Sequence, residues 1–129
     1  MSAGVYNFTK DGCDGSPLEV GATFSYQLAW EVELIAGSGD YVPVDLTGYS
    51  AKMDVRKTIA SPLIVSLSSA NGRITFEPTR GLINLVIPAA ITAVLPSGLY
   101  KYDLDLTDTN GFVTRFIQGS FEIVGSITA

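Results

Sequence analysis

The sequence predicts an all-β fold, an antiparallel β-sandwich of seven to eight strands with one short helical crossover. Three observations carry that expectation. Apolar and polar residues alternate with period two in run after run, the spacing required of a strand with one buried face. Gly, Pro, Asn and Asp punctuate these runs at short, even intervals, as they do in sandwiches and barrels. Only one stretch, Pro88 to Leu95, has the composition of a helix.

Taken in order, residues 1–21 combine a short apolar patch, Val5, Tyr6 and Phe8, with a loop-forming run from Lys10 to Pro17. This segment reads either as a first edge strand or as an arm that reaches onto a neighbour. Residues 22–129 form the sandwich, and the chain is one domain overall. From Ala22 to Leu34, Phe24, Tyr26, Leu28, Trp30, Val32 and Leu34 alternate without a break, which predicts a single central strand. Trp30 belongs to that apolar face and is expected in the core. A glycine-bearing turn follows, then a short edge segment, Tyr41 to Leu46, interrupted by Pro43, which removes a ladder donor.

Thr47-Gly48 turns the chain into a strand with Tyr49, Ala51, Met53 and Val55 inward and Lys52, Asp54 and Arg56 outward. Leu63, Val65 and Leu67 are the inward residues of the next strand. Ala70-Asn71-Gly72-Arg73 reads as a hairpin-type turn into Ile74 to Glu77, because Asn-Gly between two alternating runs favours tight hairpins. Ile83, Leu85 and Ile87 mark the buried side of the strand after it. Pro88 opens the helical crossover, and Pro96 and Gly98 stop it. The longest pattern comes last: Tyr100, Tyr102, Leu104 and Leu106 lie inward, Asp108 to Gly111 turn, and Phe112 to Val124 return. A crossover followed by Gly-x-Tyr-x-Tyr is similar to the corner of immunoglobulin-like sandwiches, where a tyrosine anchors the connection between sheets. Tyr100 is the expected anchor, with an ordinary core tyrosine as the alternative.

The bulk numbers narrow the function classes. Apolar residues make up 47% of the 129 positions and charged residues only 16%, which is rich for a small monomer and predicts surface covered by other subunits. The net charge of −5, with no basic run longer than Arg56-Lys57, argues against nucleic acid as a partner. No apolar run is long enough for a bilayer span, so no membrane partner is expected. Cys13 is the only cysteine and cannot form an internal disulfide. The N-terminus lacks a basic and an apolar leader segment, which predicts synthesis and assembly in the cytoplasm.

The chain contains no histidine, so Ser-His-Asp, Cys-His and histidine-ligated zinc chemistries are excluded. Neither a phosphate-binding glycine loop nor a dinucleotide fingerprint occurs. Asp103, Asp105 and Asp108 are the acids that come closest to a constellation, and Asp11, Asp14 and Glu19 share a loop. Calcium needs a loop that wraps the ion with oxygens, and a strand face beside Lys101 does not supply one. No catalytic, cofactor-binding or metal residue is expected, and no cofactor.

Several stretches together resemble a family of small structural proteins of tailed bacteriophages and prophages. They are Val5-Tyr6-Asn7-Phe8, Glu19 to Phe24 with Leu28 and Trp30, and Val44-Asp45-Leu46-Thr47-Gly48-Tyr49-Ser50-Ala51. Met53 to Arg56, Ser69 to Gly72, Leu95 to Leu104, and Val113-Thr114-Arg115 with Gly119-Ser120-Phe121 continue the match over almost the whole chain. The resemblance implies an immunoglobulin-like virion component, similar to the N-terminal attachment modules of baseplate and receptor-binding proteins. It carries no catalytic residue. Two loops, Lys10 to Pro17 and Ile35 to Tyr41, enlarge the pattern.

The expectation is therefore a non-enzymatic virion subunit of the tail, baseplate or fibre-attachment region, contacting other virion proteins as a homo-oligomer or symmetric array. A capsid decoration protein is one alternative. A carbohydrate- or host-surface-binding module is another, with Tyr6, Tyr41 and Phe112 as its exposed aromatics. The expected interaction residues are Val5, Tyr6, Phe8, Asp14, Pro17, Ile35 and Tyr41.

Overall fold

The structure is a computed structural model that describes residues 4–9, 14–33, 35–58 and 60–125. It is all-β, with eleven strands among the described residues. β10 (Gly98–Thr107) and β11 (Val113–Val124) form the long terminal hairpin. β6 (Ser50–Arg56) pairs with β10, and β7 (Leu63–Ser68) pairs with β6. On the far side of β11 run β1 (Gly4–Val5) and β2 (Leu18–Glu19), both parallel to it. A second sheet holds β3 (Phe24–Ala29), β9 (Leu82–Ile87) and β8 (Ile74–Glu77), with β9 in the middle. β4 (Glu31–Glu33) and β5 (Tyr41–Pro43) make a separate two-stranded ribbon. We call the end of the molecule with the 108–112 turn the upper end, and the opposite end the lower.

One core joins the two larger sheets. Phe24, Leu28, Ile83, Leu85 and Ile87 meet Met53, Val55, Leu104, Leu106, Ile117 and Phe121, and alternation along each strand accounts for that set. Burying a leucine- or phenylalanine-sized side chain contributes about 1.5–3 kcal/mol.

Residues 4–9 and 14–21 are part of this sheet rather than an arm outside it. Residues 4–8 follow β11 from Ile117 to Phe121, and the chain rejoins the same edge at Leu18 opposite Ile123. Tyr6 and Phe8 donate to the carbonyls of Gln118 and Ser120, and Glu122 donates to that of Phe8. Phe8 is 0% exposed, ringed by Tyr6, Phe24, Tyr26, Tyr102 and Phe121 at centroid distances of 5.2–5.9 Å. Gly119 makes the approach possible: a Cβ there would lie 2.5 Å from the Tyr6 carbonyl oxygen and 2.7 Å from Asn7 Oδ1. Asn7 uses that oxygen to accept from the Ser120 amide at 2.9 Å.

The helical crossover is one turn, α1 (Ala89–Thr92). The buried Thr92 hydroxyl donates to the Ala22 carbonyl at 2.8 Å and accepts from the Gly21 amide at 3.2 Å, which ties the turn to the approach to β3. Tyr100 is buried, and its hydroxyl donates to the carbonyl of Pro96 at 3.0 Å, with that of Ser97 at 3.3 Å. It therefore anchors the connection that the sequence assigned to it.

Four sequence expectations are corrected. The strand predicted from Ala22 to Leu34 stops after Ala29. At Trp30 the chain leaves β9: its amide makes a last bond to the Gly81 carbonyl, in register with the Ala29–Leu82 pair, and its carbonyl accepts from Val44 instead. Gly81 permits this crossing, since its φ is 65° and a Cβ would sit 2.6 Å from the Trp30 oxygen. Val32 is consequently exposed rather than in the core, and Leu34 lies outside the described residues. Leu63 is also exposed, because the register between β6 and β7 slips across Ile64 and turns Leu63 to the side of Arg56. Asn71-Gly72 does not close a hairpin, since β7 and β8 belong to different sheets. Asn71 instead accepts from Ser68 and Arg73 and donates to Ser66, turning the chain between layers. Phe8, finally, is a core residue.

Phe8→Ala should destabilise the protein by about 3–5 kcal/mol, as large-to-small aromatic substitutions in cores do. Deleting residues 4–9 should leave no cooperative thermal transition. Tyr100→Phe, which removes only the anchoring hydroxyl, should cost about 0.5–1.5 kcal/mol in urea denaturation.

Candidate functional site

Among the described residues, two regions combine exposure with a built local structure. The first is the outer face of the large sheet. Lys52, Asp54 and Arg56 of β6, Lys101, Asp103 and Asp105 of β10, and Arg115 and Gln118 of β11 share it by strand alternation and register. A depression of about 290 Å³ lies between Asp54, Arg56, Lys101, Asp103 and Arg115. Arg115 contacts Asp105 at 3.1 Å and Asp103 at 3.7 Å, while Asp54 lies 3.9 Å from Lys52 and 3.8 Å from Arg56. Partial burial raises the Asp103 pKa, and the Arg115 charge beside it opposes the shift. Asp54, Asp103 and Asp105 each stand against a base, while Asp103 is also the cross-strand partner of Asp54, so the face mixes ion pairs with apposed carboxylates. The described residues contain no group of three or more acids or cysteines placed to hold a metal ion.

The second region is the upper end. The β4–β5 ribbon projects there, pairing Val32 with Val42 on one face and Glu33 with Tyr41 on the other. Val32, Ile35, Tyr41 and Val42 are all exposed, Ile35 at 68% and Tyr41 at 59%. The ribbon is fastened at its base by Trp30, half-buried, whose ring packs on Phe116 at 5.3 Å and on Tyr49 at 6.3 Å. Phe116 is available for that contact because it is the extra residue of a bulge in β11, between the Leu104–Ile117 and Asp105–Arg115 pairs. The neighbouring hairpin turn exposes Phe112 and Val113, and Asp108 holds it by accepting from the Asn110 and Phe112 amides.

The ribbon's loop has its own clamp. The Glu33 carboxylate accepts from the Gly37 and Gly39 amides, each at 2.9 Å. These bonds hold its pKa below the usual carboxylate range, the Gly37 bond contributing most. A second anionic turn follows at Asp45, which accepts from the Thr47 hydroxyl and amide and is likewise lowered.

The residues expected from sequence divide accordingly. Tyr41 falls on β5 of the ribbon and Ile35 in the loop that joins its two strands. Val5 is 70% exposed on the β11 edge. Tyr6 is half-buried, with its hydroxyl bonded to that of Tyr26 and its carbonyl accepting from the Tyr102 hydroxyl. Asp14 accepts from the Asn7 amide at 2.9 Å, which folds its loop back on the first strand, and Pro17 lines a shallow hollow with Ala22 and Phe24. Lys10, Asp11, Gly12 and Cys13 lie outside the described residues. Val32, Val42 and Val113 were not singled out as surface residues. Alternation alone assigns Val32 to the core, and only the break at Trp30 reverses it.

Because the folded pKa of Glu33 is depressed, its ordering of the loop is present above the unfolded pKa and is lost as pH falls through the folded one. Amide exchange at Gly37 and Gly39 should accelerate over that acidic window. In Glu33→Gln it should be fast at neutral pH, with no dependence on this group.

Compared with protein-family models and with curated proteins, the chain gives no match.

Proposed function

We propose that this chain is a non-enzymatic structural subunit of a tailed-phage virion, from its tail, baseplate or fibre-attachment region, with an immunoglobulin-like sandwich as scaffold. It acts by repeated contacts with other virion proteins. The observation that carries this reading is the β4–β5 ribbon. It presents Val32, Ile35, Tyr41 and Val42 to solvent on a two-stranded element, and such an element is marginal by itself. Apolar side chains gathered on an exposed projection mark a contact surface.

The scaffold assignment is supported by strand order. β3, β9 and β8 stand as the second, fifth and fourth strands of an immunoglobulin-like sheet; β7, β6, β10 and β11 stand as the opposite one, with the first strand moved onto β11. Tyr100 lies at the start of the sixth strand and bonds back to Pro96, as the corner tyrosine of such sandwiches does. The phage context rests on the sequence resemblance.

A carbohydrate- or host-surface-binding module is the second reading, favoured by Tyr41 and by Phe112, which is 69% exposed. Stacking on sugars uses such rings.

Mass spectrometry of purified particles should find this chain in fixed stoichiometry, and cryo-electron microscopy should place it in the tail rather than on the head. The pair Ile35→Ser and Tyr41→Ser should leave the melting temperature unchanged and reduce incorporation several-fold. Normal incorporation of that variant, together with a glycan-array signal lost in Tyr41→Ser, would favour the second reading instead.

A further inference from the structure

We propose that Asn110 is a site of spontaneous covalent modification, deamidation to aspartate and isoaspartate, and that the fold withholds the same reaction from Asn71. The chain has two Asn-Gly steps, Asn71-Gly72 and Asn110-Gly111.

The chemistry needs these two residues and water. The backbone nitrogen of the glycine gives up its proton and attacks Cγ of the asparagine, a new C–N bond closes a five-membered imide, and the side-chain nitrogen leaves as ammonia. Water then opens the imide at one of its two carbonyls. Opening at the former side-chain carbonyl restores the backbone and leaves aspartate; opening at the backbone carbonyl leaves isoaspartate. Glycine has no Cβ to crowd the attacking nitrogen, so both steps are marked by sequence alone.

The structure separates them. Both asparagines are exposed, but Asn71 has its side chain fixed at both ends. Its Oδ1 accepts from the Ser68 and Arg73 amides, each at 3.0 Å, and its Nδ2 donates to the Ser66 carbonyl at 3.1 Å. That carbonyl also accepts from the Arg73 guanidinium at 2.8 Å, so the groups that hold Asn71 are themselves held. Turning Cγ toward the Gly72 nitrogen breaks all three side-chain bonds. Reaction there waits on local opening of the 66–73 turn.

Asn110 is held only through its backbone. Its amide donates to Asp108 Oδ1 at 2.8 Å, and among the described residues its side chain has no hydrogen-bond partner. Its Cγ is free to swing. The Gly111 amide donates to the Asp108 carbonyl at 3.1 Å, and this single bond is what the fold sets against the reaction. It belongs to a turn exposed from Thr109 to Val113, where backbone bonds open at small cost.

The product alters the turn. Either form adds a carboxylate beside Asp108. Isoaspartate also inserts a methylene between the Asn110 and Gly111 amides, which Asp108 holds together, and the Phe112 amide depends on the same carboxylate at 2.9 Å.

The folded full-length chain, kept at mildly alkaline pH and physiological temperature and then mapped by peptide mass spectrometry, tests this. Acid should replace amide at Asn110 at least tenfold faster than at Asn71. In concentrated urea, which frees both side chains, the two rates should agree within about threefold. Both aspartate and isoaspartate should appear at position 110, since direct hydrolysis would give aspartate alone. Asn110→Gln, whose longer side chain does not close the five-membered imide, should abolish the fast conversion and leave the slow rate at Asn71 unchanged.

A smaller preference in the folded chain, or a faster Asn71, would overturn the proposal, as would an Asn110 that converts in urea and stays intact when folded. A folded-state ratio no larger than the ratio in urea would trace the difference to sequence neighbours and overturn it too. Aspartate without isoaspartate would overturn the imide route.

Discussion

The fold depends on the insertion of Phe8 between the two sheets. A strand running parallel along β11 would by itself add only an edge to one layer. Phe8 does more, because its ring meets Phe24 and Tyr26 of the second sheet as well as Tyr102 and Phe121 of the first. Each such aromatic pair contributes about 0.5–1.5 kcal/mol beyond the area it buries. The contact needs the chain to pass closer to β11 than any side chain would allow, and Gly119 opposite Tyr102 provides the space. The Tyr102 hydroxyl then bonds to the carbonyl of Tyr6, so the core satisfies the polar group that the insertion brings with it.

Much of this frame was legible because it is local. The alternations of β6, β9 and β10 report directly on which residues face the core, and Pro88 with Pro96 and Gly98 bounds the crossover. Tyr100 was recognisable because a hydroxyl beside a tight connection finds a carbonyl within four residues. What escaped is set by contacts remote in sequence. Trp30 looks like one more core residue of a continuous strand. The break there comes from Val44, whose amide takes its carbonyl. Nothing near Asn71 says that the strands on either side belong to different layers.

The contact residues were legible only in part, for a related reason. Ile35 and Tyr41 lie beside a glycine-bearing turn, and their exposure follows from that. Phe8 has the same apolar character as Val5 three residues earlier, and the sequence does not say which of the two a distant Gly119 will admit. The result is a division of roles. A sheet pair closed by aromatic packing carries a ribbon that is fastened at Trp30 and whose own loop is ordered by the Glu33 clamp.

The parallel pairing of the first strand with the last also sets the order in which the molecule can be made. Asn7 and Ser120, which bond to each other, are 113 residues apart. Until β11 has left the ribosome, Phe8 has neither Phe121 nor the Gly119 groove to occupy, and the second sheet exposes Phe24 and Tyr26 to solvent. Contacts this distant are slow to close. The seam between the two sheets therefore cannot close around Phe8 until β11 is in place beside residues 4–8.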